Sequence, residues 1–134
     1  MIKEMKKVKS IYEDEDIVSI FKSHGLICLI RYNWRLGILN GYVVLPKGHK
    51  FYGKNCEDIK VDIHGGLTFA EEYREGWVIG FDTAHIFDYI PLLGEKQYYK
   101  NIWTAKKVIN ETKKLAEQLK MKKASKEKIM KFIN

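Results

Sequence analysis

The sequence predicts a single α+β domain, in which a central antiparallel sheet is joined to a short N-terminal helix and a long C-terminal helix packed on it. Two patterns support this prediction. Runs rich in Ile, Val, Leu and Tyr occupy the middle of the 134-residue chain, and apolar residues at helical spacing occur at both ends. The length suits one core, and no repeat or linker divides residues 1–134.

The first predicted element is a short helix in YEDEDIVSIFKSHGL, residues 12–26. Its acidic start suits the positive end of a helix dipole, and Gly25 suits a C-terminal cap. Apolar residues recur at helical spacing through Ile17, Ile20 and Phe21.

Two strand pairs are predicted next. LICLIRYN and LGILNGYVVLP form the first pair, and KVDIHGGLTFA and GWVIGFDTAHI form the second around EEYREG. Pro46 ends the second strand and opens a loop, KGHKFYGKNCEDI.

A long helix is predicted from about Tyr98 to Lys120, and Ser125 can cap a last helix. The apolar stripe of the long helix is Ile102, Ala105, Ile109, Thr112, Ala116 and Leu119. Residues 98–134 thus form a lysine-rich helical C-terminal region.

The formal charge of +7 is concentrated near the C-terminus. Residues 96–134 contain twelve Lys and three Glu, whereas residues 1–95 carry a net charge of −2. With only three Arg in the chain, this pattern favours a solvated helix face over nucleic-acid binding.

The sequence also favours a cytoplasmic protein without a membrane partner. Its apolar runs are far shorter than the roughly 20 residues that cross a bilayer, and no signal peptide is recognisable. Cys28 and Cys56 lack metal-type spacing and are expected as reduced thiols.

The segment GFDTAHIFD places Asp82, His85 and Asp88 three residues apart. An imidazole that is oriented by a carboxylate can act as a general base or as a proton donor, and the pair can form half of a metal site. If His64 lies across the sheet from His85, their side chains converge. Zn²⁺ binding is one reading of that cluster, but the spacing matches no established metal motif, so no metal or other cofactor is expected.

Two further segments suggest a site for a phosphate-bearing ligand. Paired glycines after His64 can expose backbone amides to an anion, and the loop after Pro46 combines lysines with an aromatic ring. The predicted ligand-binding residues are Lys47, His49, Tyr52, Lys54, His64, Gly65, Gly66, Thr68, Trp77, Asp82, His85 and Asp88. Serine-nucleophile, Walker and dinucleotide-binding motifs are missing, which argues against a serine hydrolase.

The middle of the chain, Gly41 to Asp88, resembles a family of small bacteriophage and prophage proteins. GYVVLPKGHKFYG, DIHGGLTF and WVIGFDTAHIFD carry the resemblance, which reduces to HGGLT…GFDxAHxxD. The resemblance implies a phage origin and action in the host cytoplasm, and it assigns no catalytic residue.

Three functions are compatible with these residues. The first is a binding protein, with possible homo-oligomers, that sequesters a nucleotide-derived defence signal. The second is a hydrolase or phosphodiesterase of a nucleotide-like substrate, with His85 as general base, Asp82 orienting it and His64 stabilising charge. The third is a protein-binding inhibitor of a host defence complex.

Overall fold

The computed structural model describes residues 8–121 of the chain. Its sheet has five strands: β1 (Ile17–Ser23), β2 (Leu26–Asn33), β3 (Ile38–Leu45), β4 (Phe69–Tyr73) and β5 (Gly76–Phe81). Within these residues one α-helix, α1 (Ala105–Leu119), follows the sheet, and single turns of 3-10 helix lie at Ile11–Glu13, Cys56–Asp58 and Pro91–Leu93.

All neighbouring strands are antiparallel, in the spatial order β1-β2-β3-β5-β4. The first three strands form a meander, and the β4–β5 hairpin joins them by pairing β5 with β3. The predicted fold, an α+β domain with a central antiparallel sheet and a long C-terminal helix packed on it, is therefore confirmed. The predicted strands over residues 26–33 and 36–46 correspond to β2 and β3.

The main core lies between α1 and one face of the sheet, which we call the helix face. Gly41 on β3 permits the close approach, because a Cβ there would overlap the Thr112 hydroxyl and the Phe81 ring. The principal buried side chains are Cys28, Ile30, Val43, Leu45, Ile79, Phe81, Val108, Leu115, Ala116 and Leu119. The loop between β3 and β4 adds Ile59 and Ile63, so this loop is fixed to the same core.

The helix predicted over residues 12–26 is wrong for most of its length. Only Ile11–Glu13 is helical, as one 3-10 turn, whereas Ile17–Ser23 is strand β1. Burial alternates along β1, but the exposed Val18 and Ile20 are apolar, whereas the half-buried Ser19 and Ser23 are polar. The segment therefore lacks the alternation of apolar and polar residues that identifies a strand, and its apolar residues fall at a spacing that resembles one face of a helix.

Gly25 does not cap a helix. His24 (φ 53°) and Gly25 (φ 77°) are the two residues that connect β1 to β2. Positive φ at both central residues is the geometry of a two-residue hairpin turn whose twist matches that of the strands. The dipeptide His-Gly therefore marks a hairpin in this chain.

Two other predicted elements begin later than expected. The strand predicted for residues 60–70 begins only at Phe69, because the chain turns at the two glycines before it. The long helix begins at Ala105, after Thr104, whose hydroxyl accepts a hydrogen bond from the Lys107 N–H (3.2 Å). The predicted last helix after Ser125 lies outside the described residues.

No helix among residues 8–121 combines the length and apolarity that a bilayer crossing requires. Cys28 and Cys56 carry free thiols. Burial raises the pKa of Cys28 to about 11, so this thiol stays protonated at neutral pH and acts as a core side chain.

Candidate functional site

A tight turn presents His64 beside α1. The Gly66 N–H donates to the Ile63 carbonyl (3.1 Å), and the His64 N–H donates to the Glu111 carboxylate on α1 (2.9 Å). Gly65 (φ 68°) and Gly66 (φ 77°) have left-handed backbone, which glycine adopts at little cost. The turn is therefore held against the helix by both chain conformation and a charged acceptor.

Asp88 lies at the centre of the site and is buried, with none of its side chain exposed. Its Oδ2 accepts hydrogen bonds from His64 Nε2 (2.7 Å) and from the His85 backbone N–H (3.0 Å). Its Oδ1 accepts from Asn101 Nδ2 (3.2 Å) and Trp103 Nε1 (3.1 Å). Four donors from three segments of the chain thus converge on one carboxylate.

These donors keep Asp88 ionised. Burial raises the pKa of its carboxyl group, but the hydrogen bonds from His64, the His85 backbone and Asn101 together outweigh burial and bring the pKa below its ordinary value. An ionised carboxylate only accepts hydrogen bonds, so His64 Nε2 carries the hydrogen in this contact. The Nδ1 atom of His64 has no hydrogen-bond partner among the described residues.

A second imidazole faces the first. The ring centroids of His64 and His85 are 5.3 Å apart and the rings are nearly perpendicular, at 79°. His85 Nε2 lies 3.2 Å from Asp82 Oδ1, yet it has no hydrogen bond of acceptable geometry in the structure. We regard this contact as an ion-pair distance and not as a formed hydrogen bond, because direction decides hydrogen-bond strength.

Gly65 makes room for the second imidazole. A Cβ built on Gly65 would overlap the His85 ring, whereas a Cβ on Gly66 would meet no atom within 4 Å. The two adjacent glycines therefore have different roles. Gly65 is needed for backbone conformation and for space, and Gly66 for backbone conformation alone.

The segment around Asp88 is held in an unusual conformation. Phe87 has a φ of 72°, in the left-handed region that a bulky residue rarely adopts. Its carbonyl accepts hydrogen bonds from the N–H groups of Lys100 (2.8 Å) and Asn101 (3.1 Å). The Trp103 ring packs against His64, with centroids 4.4 Å apart, so residues 100–103 hold both Asp88 and one imidazole in place.

The residues of the predicted single site lie in two separate places. His64, Asp82, His85 and Asp88 come together with Gly65, as described above. His49 instead contacts the last residue of α1, because its Nε2 donates to the Leu119 carbonyl (2.7 Å). Leu119 is eight residues beyond Glu111, about 12 Å along the helix axis.

The lysine loop belongs to this second place. The Trp77 ring lies 6.1 Å from that of Tyr52, and Trp77 Nε1 donates to the Lys54 carbonyl (2.9 Å). Lys47 is exposed in the same loop. The predicted residues of this second place therefore lie apart from the paired imidazoles; they are Lys47, His49, Tyr52, Lys54 and Trp77.

The backbone amides at the paired glycines are less accessible to an anion than predicted. The Gly66 N–H is used by the Ile63 carbonyl, and the Thr68 N–H donates to the Gly80 carbonyl (2.9 Å). One of the two glycine amides that were expected to contact an anion is therefore occupied within the chain, and so is the nearby amide of Thr68.

Asn101, Trp103 and Glu111 belong to the site but were not predicted. The sequence prediction placed the first two inside the C-terminal helix, where they would not reach Asp88. Thr104 was the available signal, since Thr before a helical stretch is a common N-cap. Ending the helix there would have left residues 98–103 as a loop free to contact the site.

The paired imidazoles are partly exposed and line neither of two cavities in the described part of the chain. Their side chains are 22% and 28% exposed. Cavities of about 680 Å³ and 280 Å³ lie elsewhere, and neither is lined by His64 or His85. Among residues 8–121 no three His, Cys, Asp or Glu side chains are grouped to hold a metal ion, so the zinc reading finds no ligand set there.

Comparisons with protein-family models, with curated proteins and with solved structures found no match. The resemblance to phage proteins and the expected oligomers therefore stay predictions. The site defines a class by its chemistry alone: an α+β domain with two imidazoles, each next to a carboxylate.

Proposed function

We propose that the chain is a hydrolase in which His64 and His85 exchange protons with water and substrate. The observation that carries the proposal is the pair of imidazoles 5.3 Å apart, one hydrogen-bonded to a buried ionised carboxylate and the other 3.2 Å from a second carboxylate. Hydrolysis in which one group acts as the general base and another as the general acid uses two such groups within reach of one reacting centre.

The contacts favour His64 as the general base. Asp88 accepts the Nε2 hydrogen of His64, which fixes the ring orientation and leaves the lone pair on Nδ1 free to take a proton. Trp103 packs against the same ring and limits its rotation. This assignment exchanges the roles that the sequence suggested, because the Asp82 contact with His85 is longer and poorly directed.

His85 then supplies the proton of the leaving group. In the proposed reaction, His64 removes a proton from water, the resulting hydroxide attacks the electrophilic centre, and protonated His85 donates to the departing oxygen. One water molecule is consumed, and transfer of a proton from His64 back to His85 through solvent restores the site.

The charge around the site limits the substrate class. Asp82, Asp88 and Glu111 contribute three carboxylates, and the lysines of the loop 46–54 lie at the second place. Multiply charged phosphates are repelled in such a field. A phosphodiester, which carries one negative charge per linkage, is the nucleotide-like substrate that the site tolerates best.

The test is hydrolysis of bis(4-nitrophenyl) phosphate and of a panel of linear and cyclic dinucleotides by the full chain. We expect His64→Gln and His85→Gln each to lower kcat/KM by about 100-fold or more. His24→Asn is the matched control, because His24 lies in the exposed β1–β2 turn and Asn tolerates its positive φ. Wild-type rates in both site variants, or no turnover of any substrate, would contradict the proposal.

Sequestration of a nucleotide-derived signal is a second candidate, favoured by the Tyr52–Trp77 ring pair beside Lys54. An aromatic surface and lysines on one loop suit a base and its phosphates. The chain would be incubated with each dinucleotide and heat-denatured, and the released material identified by mass spectrometry. Unchanged ligand, lost in Trp77→Leu but retained in His64→Gln, supports sequestration, whereas cleaved ligand supports the hydrolase.

A further inference from the structure

A second cavity lies on the sheet face opposite α1, which we call the open face. The N-terminal segment crosses this face, and its residue Ile11 is buried against the strands, at 5% exposure. Between this segment and the strands is a cavity of about 280 Å³. It lies across the sheet from the helix face and is lined by none of the residues of the proposed hydrolase site.

The N-terminal segment is fixed in position by the β4–β5 turn. Ser10 Oγ donates to the Glu75 carboxylate (2.8 Å), and the Ile11 N–H donates to its other oxygen (2.5 Å). The Arg74 N–H donates to the Lys9 carbonyl (3.0 Å). The roof of the cavity is therefore tied to the sheet at one end, which maintains the space beneath it.

Aromatic rings form much of the cavity wall. Tyr42 and Phe69 pack edge to face, with centroids 5.4 Å apart and an interplanar angle of 86°. Tyr73 lines the cavity from the other end of β4, four residues and thus about 13 Å of Cα distance from Phe69. Leu29 on β2 adds apolar surface. Such a wall offers stacking and edge contacts to a flat ring.

One end of the cavity is polar. Arg31 Nε donates to Asp14 (2.8 Å), and its Nη2 donates to Asp16 (3.0 Å). These two carboxylates fix the guanidinium plane and offset its charge. The Nη1 group of Arg31 has no hydrogen-bond partner among the described residues, so it remains able to donate to a ligand.

The tyrosines add further donors. Burial raises the pKa of both Tyr42 and Tyr73 above the ordinary value. Their hydroxyls are therefore protonated throughout the physiological range and can donate hydrogen bonds. Acceptor groups on a ligand are thus favoured at this cavity, while the offset charge of Arg31 gives no advantage to an anion.

We infer that this cavity binds an uncharged planar heterocycle with a carbonyl or carboxamide group, about the size of one nucleobase. The ring contacts Phe69 and Tyr73, and the carbonyl oxygen accepts from Arg31. The volume is just below the roughly 300–1,000 Å³ of sites for drug-sized molecules. This site is independent of the proposed hydrolase site and lies on the other face of the sheet.

The probes are uracil, hypoxanthine and nicotinamide, added separately to the ¹⁵N-labelled full chain and followed by NMR. We expect saturable shifts at residues around the cavity for at least one probe, with a Kd in roughly the 0.1–1 mM range that a ligand of about nine heavy atoms allows. Cyclohexanecarboxamide, which is not planar, and inorganic phosphate are expected to give no saturable shifts.

Tyr73→Leu and Phe69→Leu are expected to weaken binding of the active probe about fivefold or more, since each removes an aromatic contact. Ile20→Ala is the matched control, because Ile20 is exposed on the same face and does not line the cavity. His64→Gln should bind the probe like wild type even if hydrolysis fails, which separates the two proposals. Lack of saturable binding by all three probes, or unchanged Kd in both leucine variants, would overturn the inference. Tyr73→Phe retains the ring if Tyr73→Leu fails to fold.

Discussion

His49 and His64 are both next to a glycine in loops that contact α1, yet the chain uses their rings differently. His49 is buried, its Nδ1 accepts from the Phe51 N–H (3.1 Å), and its Nε2 donates to the Leu119 carbonyl (2.7 Å). His64 uses only Nε2, for Asp88. Both nitrogens of His49 are occupied by backbone, so it can only join loop and helix, whereas His64 retains a nitrogen for chemistry.

Hydrogen-bond partners, and not the surrounding sequence, distinguish a structural histidine from a reactive one. A glycine, a lysine or an aromatic neighbour occurs near both residues. The deciding feature is whether the second ring nitrogen is already bonded within the chain.

Asp88→Ala should cause the largest loss of stability. It leaves four donors without their acceptor, two of them a backbone N–H and an indole N–H, and we expect a loss of about 3 kcal/mol in the free energy of unfolding. Asp82→Ala, whose side chain is 30% exposed, should cost less than about 1 kcal/mol. Urea denaturation followed by far-UV circular dichroism measures both, and equal losses would show that Asp88 is not the centre of this region.

His49→Ala should reduce stability without reducing hydrolysis. It leaves the Leu119 carbonyl and the Phe51 N–H without partners, at a cost of about 2 kcal/mol. Because the ring lies about 12 Å along α1 from the Glu111 contact, kcat/KM measured well below the melting temperature should match wild type. A drop in activity of folded His49→Ala as large as that of His64→Gln would remove the distinction between the two histidines.

Gly65→Ala and Gly66→Ala form a matched pair. Both place an alanine in left-handed backbone, and this conformation alone should cost about 1–2 kcal/mol in each variant. Only Gly65→Ala also displaces the His85 ring, so it alone should abolish the proposed hydrolysis. Thermal unfolding and initial rates on both variants test this pair, and equal activities would argue against a role for the position of His85.

Lowering the pH should change the free energy of unfolding less than these substitutions do. The pKa of Asp88 in the folded protein is below its ordinary value, so the ionised group stabilises the fold above about pH 4. That stabilisation is lost as the pH falls toward the folded-state pKa. Between about pH 5 and 2, Asp88→Asn should lose less stability than wild type, whereas Glu117→Gln, an exposed control, should follow wild type.

The central strands could be predicted because their signals are local. β2 coincides with LICLIRYN, a run of branched and aromatic residues between a turn and a polar segment. β1 could not be predicted in the same way, since its exposed Val18 and Ile20 are apolar and its half-buried Ser19 is polar, so residue type does not follow the alternating burial of the strand. Its pairing with β2 stabilises it, and that information is not present in the segment itself.

The site was predicted in part. The spacing of Asp82, His85 and Asp88 indicated that carboxylates and an imidazole would meet, and His64 does lie across from His85. The expected approach of Asp82 to His85 is present at 3.2 Å, but the hydrogen bond from His64 to Asp88 was not predicted. That hydrogen bond depends on how the turn at Gly65 is held against α1, which is a tertiary contact.

The lysine loop shows the limit of composition as a guide. Its charges and glycines suggested proximity to the paired imidazoles, yet the loop packs at the far end of α1 through His49. Only the length and direction of the helix set that separation. A site assembled from separate segments can therefore be proposed from sequence, but its membership is decided by packing.

The irregular register of β1 also bears on behaviour in concentrated solution. As the outermost strand it offers unpaired backbone groups, and the apolar Val18 and Ile20 are more than half exposed there. A regular edge strand with exposed apolar side chains can pair with strands of other molecules. The register shift between Ile17 and Ser19 interrupts the row of free amides and carbonyls, and the charge of Lys22 adds repulsion between identical copies. We therefore expect this edge to resist strand pairing between molecules.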